Sequence, residues 1–202
     1  TIEKIFALES YRDQLAAFPQ TVWVSEDILL DLADSQTPQG IVAVVQKEEV
    51  GQVDFSQGKF LFLEDVQDPG NVGTIIRTAD AAGFTGVIVS DKSADTYSLK
   101  TLRSMQGSHF HLPIYRMSSQ ALLDETKKAA IPVLATTLSK DSVDYRELPP
   151  IENFVLVMGN EGQGISPLMA ESADQLVHIS MKGQAESLNV AVAAGILIFH
   201  LS

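Results

Sequence analysis

The sequence predicts an α/β protein with a mostly parallel sheet and helices on both of its faces. From Lys59 onward, short apolar runs alternate with segments of helical periodicity, a pattern typical of βα units. Three segments rich in glycine and asparagine follow apolar runs, and parallel sheets form their binding crevices at such strand ends. These segments are 63–77, 157–166 and 179–190.

Length and composition place limits on the class of protein. The 202 residues are enough for one α/β domain and part of a second. The most apolar stretch, 190–201, is shorter than the roughly 20 residues that span a bilayer, and no secretory signal is evident. Cysteine is absent, which excludes disulfides, thiolate metal sites and cysteine nucleophiles. These features favour a cytoplasmic protein without membrane contact.

The net charge of −12 is unusual for a protein that binds nucleic acid. Phosphate contacts supply much of the affinity for RNA, so an acidic chain argues against tight non-specific binding. A net charge does not exclude a local basic patch, for which Arg77, Lys100, Arg103 and Lys182 are the candidates.

The first 50 residues indicate part of a small α/β module. Strands are predicted at 22–24 and 41–45, with a short helix at 26–33 between them. The polar segment that follows has two glycines and no clear period, and 51–58 is predicted as the linker. The abrupt start at Thr1 suggests that upstream sequence is absent.

In the remainder of the chain, turn and cap residues delimit the predicted elements. Asp68-Pro69-Gly70 forms a turn before a helix that Gly83 ends, and Ser118 or Ser119 caps a later helix that reaches about 130. Further helices are predicted at 96–105 and from about Ser187 onward. The predicted strands are 60–63, 87–89, 110–115, 133–136, 155–158 and 176–179.

The first glycine-rich segment contains Asn71 and Arg77. Asn71 lies where the helix begins, so a simple N-cap accounts for it as readily as a functional role. Arg77 is in the early turns of the same helix, where the helix dipole favours anions rather than cations. This position suits a group that must meet a phosphate or a carboxylate.

The second and third segments have both a structural and a functional interpretation. Glycines in 159–164 allow a ligand to approach the backbone, although a simple turn is about equally expected, and Glu161 disfavours an anionic ligand. In the third segment Ser187 is the predicted cap of a helix that is apolar on all sides, and Asn189 lies beside it. A helix of this kind is buried in a core or against another subunit.

Histidines do not indicate a metal site in this chain. His109 and His111 alternate on a predicted strand without a third ligand, and His178 and His200 are isolated, so no metal is expected. The Gly-x-Ser-x-Gly elbow of serine hydrolases is also absent.

Together and in this order, the three segments resemble the motifs of the SpoU (TrmH) branch of the SPOUT RNA methyltransferases. The resemblance covers about 59–201 and implies a SPOUT-like fold with a C-terminal trefoil knot, in a homodimer. It also implies that 1–50 is part of an N-terminal RNA substrate-binding domain and that 59–202 is the knotted methyltransferase domain.

The activity implied by the resemblance is transfer of a methyl group from S-adenosylmethionine to a ribose 2′-hydroxyl, with ribosomal RNA favoured over transfer RNA. By motif position, Arg77 activates the hydroxyl and Asn71 helps to orient the site. The implied catalytic residues are Arg77, Asn71, Glu161, Ser187 and Asn189. The implied cofactor-binding residues are Thr136, Gly159, Ile179, Met181 and Leu188.

Two alternatives remain open from the sequence. The first is a knotted dimer that binds RNA or cofactor without catalysis, which the complete set of motif residues argues against. The second is a nucleotide-dependent Rossmann-type enzyme, which suits the acidic charge better but lacks the G-x-G-x-x-G fingerprint after its first strand. The sequence alone names neither the RNA nor the nucleotide.

Overall fold

The computed structural model describes residues 1–33, 37–47 and 50–202. The chain divides into two compact units, residues 1–49 and 50–202. Residues 34–36, between the two strands predicted for the first unit, and residues 48–49, just before the predicted linker, lie outside the described residues. In the described parts of the chain, no helix combines the length and apolarity needed to cross a bilayer.

The first unit contains a three-stranded sheet and one helix. Its elements are β1 (Ile2–Ala7), β2 (Thr21–Trp23), α1 (Glu26–Ala33) and β3 (Ile41–Val45). The central strand β1 pairs in parallel with β2 and antiparallel with β3. β1 was not predicted from the sequence, because its first residues are exposed and only Ile5 and Ala7 in it are buried.

The second unit is built on a seven-stranded sheet in the order β6-β5-β4-β9-β7-β10-β8, with every pairing parallel. The strands are β4 (Lys59–Leu63), β5 (Gly86–Val89), β6 (Ile114–Arg116), β7 (Val133–Thr136), β8 (Val143–Asp144), β9 (Phe154–Met158) and β10 (Gln175–His178). The helices are α2 (Pro69–Ala81), α3 (Leu99–Met105), α4 (Ser119–Ala129), α5 (Pro167–Ser172) and α6 (Val190–Leu201). The prediction of a mostly parallel sheet is confirmed.

Helices cover both faces of this sheet, as predicted. Successive side chains of a strand point to opposite faces. Accordingly, Leu61 and Leu63 of β4 join the buried cluster that includes residues of α2 and α6. Phe60 and Phe62 join the opposite cluster, which includes residues of α4 and α5. Both clusters contain side chains from β9, the neighbour of β4, so the centre of the sheet is buried on its two faces.

The segment predicted as a linker contributes to the core of the second unit. Phe55 is buried and its ring meets the ring of Phe60 edge to face, with centroids 5.1 Å apart. The backbone N–H of Gly58 donates to the side-chain oxygen of Asn153 at 2.6 Å. Residues 55–58 therefore pack as part of the second unit.

The strand predicted at 110–115 is wrong over most of its length. A 3-10 turn occupies Ser108–Phe110, and the strand is only Ile114–Arg116. The backbone N–H groups of Phe110, His111 and Leu112 donate to carbonyls three or four residues earlier, each at 3.0 Å, so this part of the chain forms local turns instead of pairing with a strand. His109 and His111 therefore do not alternate on a strand, and their spacing does not reflect a sheet face. The short elements β8 and α5 were not predicted, whereas Ser118 caps α4 as expected.

Helices α2 and α3 approach closely at Gly73. A Cβ atom at this position would lie 2.5 Å from the carbonyl oxygen of Thr101 and 2.6 Å from the Cβ of Ser104. The contact leaves no room for a side chain, and it fixes α3 against the helix that carries the first glycine-rich segment.

We predict that Gly73→Ala lowers the free energy of unfolding by about 1–3 kcal/mol, since the methyl group forces the two helices apart. Gly195→Ala is the matched control, because Gly195 also lies inside a helix but its nearest neighbour is 4.0 Å away. The control should gain up to about 1 kcal/mol from helix propensity. Urea denaturation measures both, and equal effects of the two substitutions would contradict the close approach.

Candidate active site

The three glycine-rich segments meet at the carboxyl edge of the second unit's sheet. The first follows β4, the second follows β9 and the third follows β10, and these strands lie within four adjacent positions of a parallel sheet. Since all the strands run in the same direction, their carboxyl ends lie on one side. The second and third segments line a common cavity there, and the first is joined to them by hydrogen bonds.

In the first segment, Asp68 rather than Asn71 caps helix α2. The Asp68 carboxylate accepts the backbone N–H of Asn71 at 2.9 Å and the Lys100 ammonium at 2.7 Å. These two hydrogen bonds, the one from Lys100 first, hold the pKa of Asp68 below its ordinary value. Asn71 is therefore not the N-cap, which was the structural alternative to a functional role, and its side chain is available for other contacts.

The second segment folds back on itself between Asn160 and Gly164. Each of these residues donates its backbone N–H to the carbonyl of the other at 2.9 Å. The Asn160 side chain accepts the N–H groups of Gly162 and Gln163 and donates to the carbonyl of Asp65 at 2.8 Å. A Cβ at Gly159 would overlap the backbone of Gly164 and Ile165, so this glycine is required by the loop's own closure.

Glu161 extends from this loop to the first segment. Its carboxylate accepts the backbone N–H groups of Gln67 and Asp68, both at 3.2 Å, and the side-chain amide of Asn71 at 3.1 Å. Burial raises the pKa of Glu161, but the hydrogen bonds from Asn71 and the backbone outweigh that effect and the pKa lies below its ordinary value. Glu161 is therefore ionised near neutral pH.

Asn189 joins the third segment to the other two. Its side-chain oxygen accepts the N–H groups of Ala191 and Val192 at 2.9 and 3.3 Å, so Asn189 caps helix α6. Its side-chain amide donates to the Asn71 oxygen at 3.1 Å. A continuous hydrogen-bond chain, Glu161–Asn71–Asn189, thus connects the three loops. The prediction that Ser187 caps the helix is wrong, because the helix begins only at Val190.

A cavity of about 390 Å³ opens beside this chain. All five residues that the resemblance assigns to the cofactor line it, together with Glu161 and Ser187. The lining comprises 136–138, 158–164, 177–179, Met181, 186–188, Val190, Ala193 and Leu197. Asn71 and Asn189 lie outside this lining and form a polar surface beside it through their hydrogen bonds to each other and to Glu161, whereas Arg77 lies outside the lining and is joined to neither.

The charge of the cavity favours a cationic ligand. Glu161 and Glu186 line it, and its described lining residues include no lysine or arginine. His178 also borders the cavity, and its Nδ1 lies 3.0 Å from the Ser142 hydroxyl. The Thr136 hydroxyl donates to the carbonyl of Val157 at 2.9 Å, which ties β7 to β9 under the cavity.

Arg77 is exposed on α2, six residues after Asn71, which corresponds to about 9 Å along the helix. In the described part of the chain, no hydrogen bond or ion pair engages its guanidinium. Lys100, another candidate for the basic patch, is instead committed to Asp68. Arg77 is therefore an exposed cation available to an anionic partner.

Several residues of the site were missed from the sequence. Asp68 had a recognisable signal, since an acidic residue directly before proline is a common start of a helix. Asn160, His178 and Glu186 had none, because their positions depend on how separate strands come together.

Among the described residues, no group of three or more His, Asp or Glu side chains could hold a metal ion. His111 instead lies 3.4 Å from Asp80.

Comparison with known proteins gives consistent matches to one family. The profile of the SpoU rRNA Methylase family matches residues 58–199. The 23S rRNA (guanosine(2553)-2'-O)-methyltransferase RlmP of Bacillus subtilis is 44% identical over 182 residues, which are 90% of this chain and 72% of that protein.

Two crystal structures extend the comparison to the fold. The AdoMet-bound rRNA methyltransferase of Sinorhizobium meliloti has a TM-score of 0.90 and 34% identity, covering 99% of this chain and 79% of its own. The SpoU methyltransferase AviRb of Streptomyces viridochromogenes, in complex with AdoMet, has a TM-score of 0.85 and 30% identity. The match covers 100% of this chain and 82% of the AviRb chain.

We predict that the two functions of Asn189 can be separated by substitution. Asn189→Ala removes the cap of α6 and should lower the free energy of unfolding by about 1 kcal/mol. Asn189→Asp keeps a capping oxygen, so its stability should stay within about 0.5 kcal/mol of the parent. Urea denaturation tests this, and equal losses in the two variants would show that capping is not the stabilising contact.

Proposed function

The chain belongs to the SpoU rRNA methylase family, and we infer that it is an enzyme that methylates a ribose 2′-hydroxyl of RNA with S-adenosylmethionine as methyl donor. The observation that carries this inference is the Glu161–Asn71–Asn189 chain beside a cavity of cofactor size. Family membership also rules out the alternative of a nucleotide-dependent Rossmann-type enzyme.

Ribosomal RNA is the substrate that the comparisons support, in preference to transfer RNA. The relative from Bacillus subtilis is named as acting on a guanosine of 23S rRNA. We propose that this chain likewise methylates a guanosine of 23S rRNA, and that it does so in the cytoplasm, where ribosomal RNA is found.

The cavity fits S-adenosylmethionine in size and charge. Its volume of about 390 Å³ lies within the range of small-molecule sites, and Glu161 and Glu186 suit a ligand with sulfonium and ammonium charges. The loop at 159–164 lines the cavity, where an adenine would lie against it, and Ile179 and Leu188 offer apolar contacts. When bound, the cofactor supplies a methyl group on a positively charged sulfur.

We assign the reaction to groups at the junction of the cavity and the polar surface. Arg77 binds the RNA phosphate next to the target nucleotide and places the 2′-hydroxyl for attack. Because an arginine guanidinium stays protonated in proteins, it is a poor base. In this proposal, Arg77 and the phosphate that it holds orient the 2′-hydroxyl, which would take the methyl group that the cofactor supplies and lose its proton, by way of the phosphate, to solvent water.

The other proposed catalytic residues hold this geometry. Asn71, Glu161 and Asn189 keep the three loops in register, so the hydroxyl and the methyl group meet in line. Ser187 borders the cavity and contacts the substrate or the cofactor there. Correct alignment of two reactants lowers the activation free energy by about 7–11 kcal/mol in well-oriented systems. Loops held rigidly in place preserve that alignment.

The assembly implied by the resemblance is also a proposal. Val192 and Phe199 of α6 are 53% and 58% exposed, an apolar face that a second copy of the chain would cover in a homodimer.

The C-terminal trefoil knot stays a prediction. We propose that residues 1–50 are part of an RNA substrate-binding domain, and that the methyltransferase domain includes 55–58, which pack on its core.

The first experiment is transfer of labelled methyl from S-adenosylmethionine to 23S rRNA, with the modified site mapped by its resistance to alkaline cleavage. Arg77→Lys keeps the positive charge but loses the planar guanidinium, which can donate two parallel hydrogen bonds to a phosphate, so turnover should fall by about tenfold or more. Affinity for S-adenosylmethionine should not change, because Arg77 does not line the cavity. Near-normal turnover of this variant would contradict the role of Arg77.

Absence of methyl transfer to any RNA, in a parent protein that binds the cofactor, would favour the non-catalytic alternative.

We predict that Gly159→Ala weakens binding of S-adenosylmethionine by about tenfold or more, since the added methyl group opens the loop that lines the cavity. Gly183→Ala is the control, because a Cβ there meets nothing within 4 Å. Isothermal titration calorimetry measures both affinities. Equal affinities of the Gly159 variant and the parent would place the cofactor elsewhere.

A further inference from the structure

Glu64 is a buried acid that the reaction above does not use. It directly follows β4 and is 3% exposed. Its backbone N–H donates to the carbonyl of Met158 at 2.8 Å, which continues the pairing of β4 with β9. A carboxylate at such a position is costly to bury unless several donors satisfy it.

Three donors surround the Glu64 carboxylate. Oε1 accepts the hydroxyl of Ser119 at 2.6 Å and the hydroxyl of Ser166 at 2.8 Å, and Oε2 accepts the backbone N–H of Ser166 at 2.8 Å. No lysine, arginine or histidine pairs with it among the described residues. Two of the three hydrogen bonds come from one residue, so Ser166 is the main partner of this buried group.

Ser166 marks the end of the second glycine-rich loop. Its hydroxyl accepts the N–H of Met169 at 3.1 Å and caps α5. At the other end of the loop, Asn160 donates to the carbonyl of Asp65 at 2.8 Å. The consecutive residues Glu64 and Asp65 therefore hold the two ends of the loop that lines the cavity at 159–164.

We propose that Glu64 is a positioning residue for cofactor binding. By accepting hydrogen bonds from both the hydroxyl and the backbone N–H of Ser166, it fixes the end of the loop at 159–166, so that the loop residues that line the cavity are already in place before the ligand arrives. The inference rests on the proposed function, because the cavity is taken as the S-adenosylmethionine site. Preorganisation of this kind increases affinity by reducing the ordering that binding requires.

The two serines provide a pair of variants that differ in one further respect, because Ser166→Ala also removes the cap of α5, a loss that its Tm reports. Ser166→Ala removes a hydrogen bond on the loop side, and Ser119→Ala removes one on the side of α4, from the same Oε1 atom. A purely structural role of Glu64 predicts similar consequences for both. A positioning role predicts that only the loop-side variant affects the cofactor.

The experiment measures the Kd of S-adenosylmethionine by calorimetry and the kcat and cofactor KM of methyl transfer, with Tm as a check on folding. Glu64→Ala should raise Kd and KM by about tenfold or more, and Ser166→Ala by about threefold or more, with kcat nearly unchanged at saturating cofactor. Ser119→Ala should bind within about twofold of the parent. Glu64→Gln keeps an oxygen for the Ser166 N–H and should recover most of the affinity.

Parental cofactor affinity in folded Ser166→Ala, or equal losses in the two serine variants, would overturn the inference. These two variants decide the question even if Glu64→Ala does not fold. A parent protein that binds no S-adenosylmethionine would instead refute the proposed function itself, an outcome that the parent titration reveals before any variant is compared.

Discussion

The organisation of this site depends on the side chain of Asn71, which accepts a hydrogen bond from Asn189 and donates one to Glu161. These partners are 118 and 90 positions away in the sequence, on two other loops. An amide suits this position because it is both donor and acceptor, whereas a carboxylate offers only acceptors when ionised. Asn71 thus contacts both of the other loops directly, and the cavity lies where the second and third loops meet beside it.

The hydrogen bonds that Glu161 accepts from the first loop depend on its ionised carboxylate. Its carboxylate accepts three hydrogen bonds, all from N–H groups: the backbone N–H groups of Gln67 and Asp68 and the side-chain amide of Asn71. Protonation of the carboxylate would remove one of these acceptor sites. Because these donors lower its pKa, the loops remain connected at neutral pH. The same negative charge faces the cavity, so one group both fixes the loops and favours a cationic cofactor.

The sequence predicts the strands and the loops of this fold better than the contacts between them. Apolar runs such as 60–63 and 155–158 identified buried parallel strands, because burial on both faces leaves a continuous apolar signal. The local pattern left Asn71 open as a cap and predicted a cap at Ser187, but Asp68 and Asn189 perform that role. In both cases two residues that are able to cap a helix lie within three positions of each other, and contacts elsewhere in the fold determine which of them acts as the cap. Glu64 gave no signal, since its partners come from 55 and 102 positions away.

The acidic net charge is compatible with RNA binding if few phosphates are contacted. Several cations of the second unit are committed to the protein itself: Lys100 to Asp68, Arg116 to the carbonyls of Ser90 and Asp91, and Arg146 to Asp144. Arg77 is exposed and is not committed to a described partner. Since each neutralised phosphate steepens the salt dependence of binding, an interface with few such cations has a shallow one. In the proposed function, recognition then rests on the shape of the RNA and on the contact proposed for Arg77, which favours a structured target over non-specific strands.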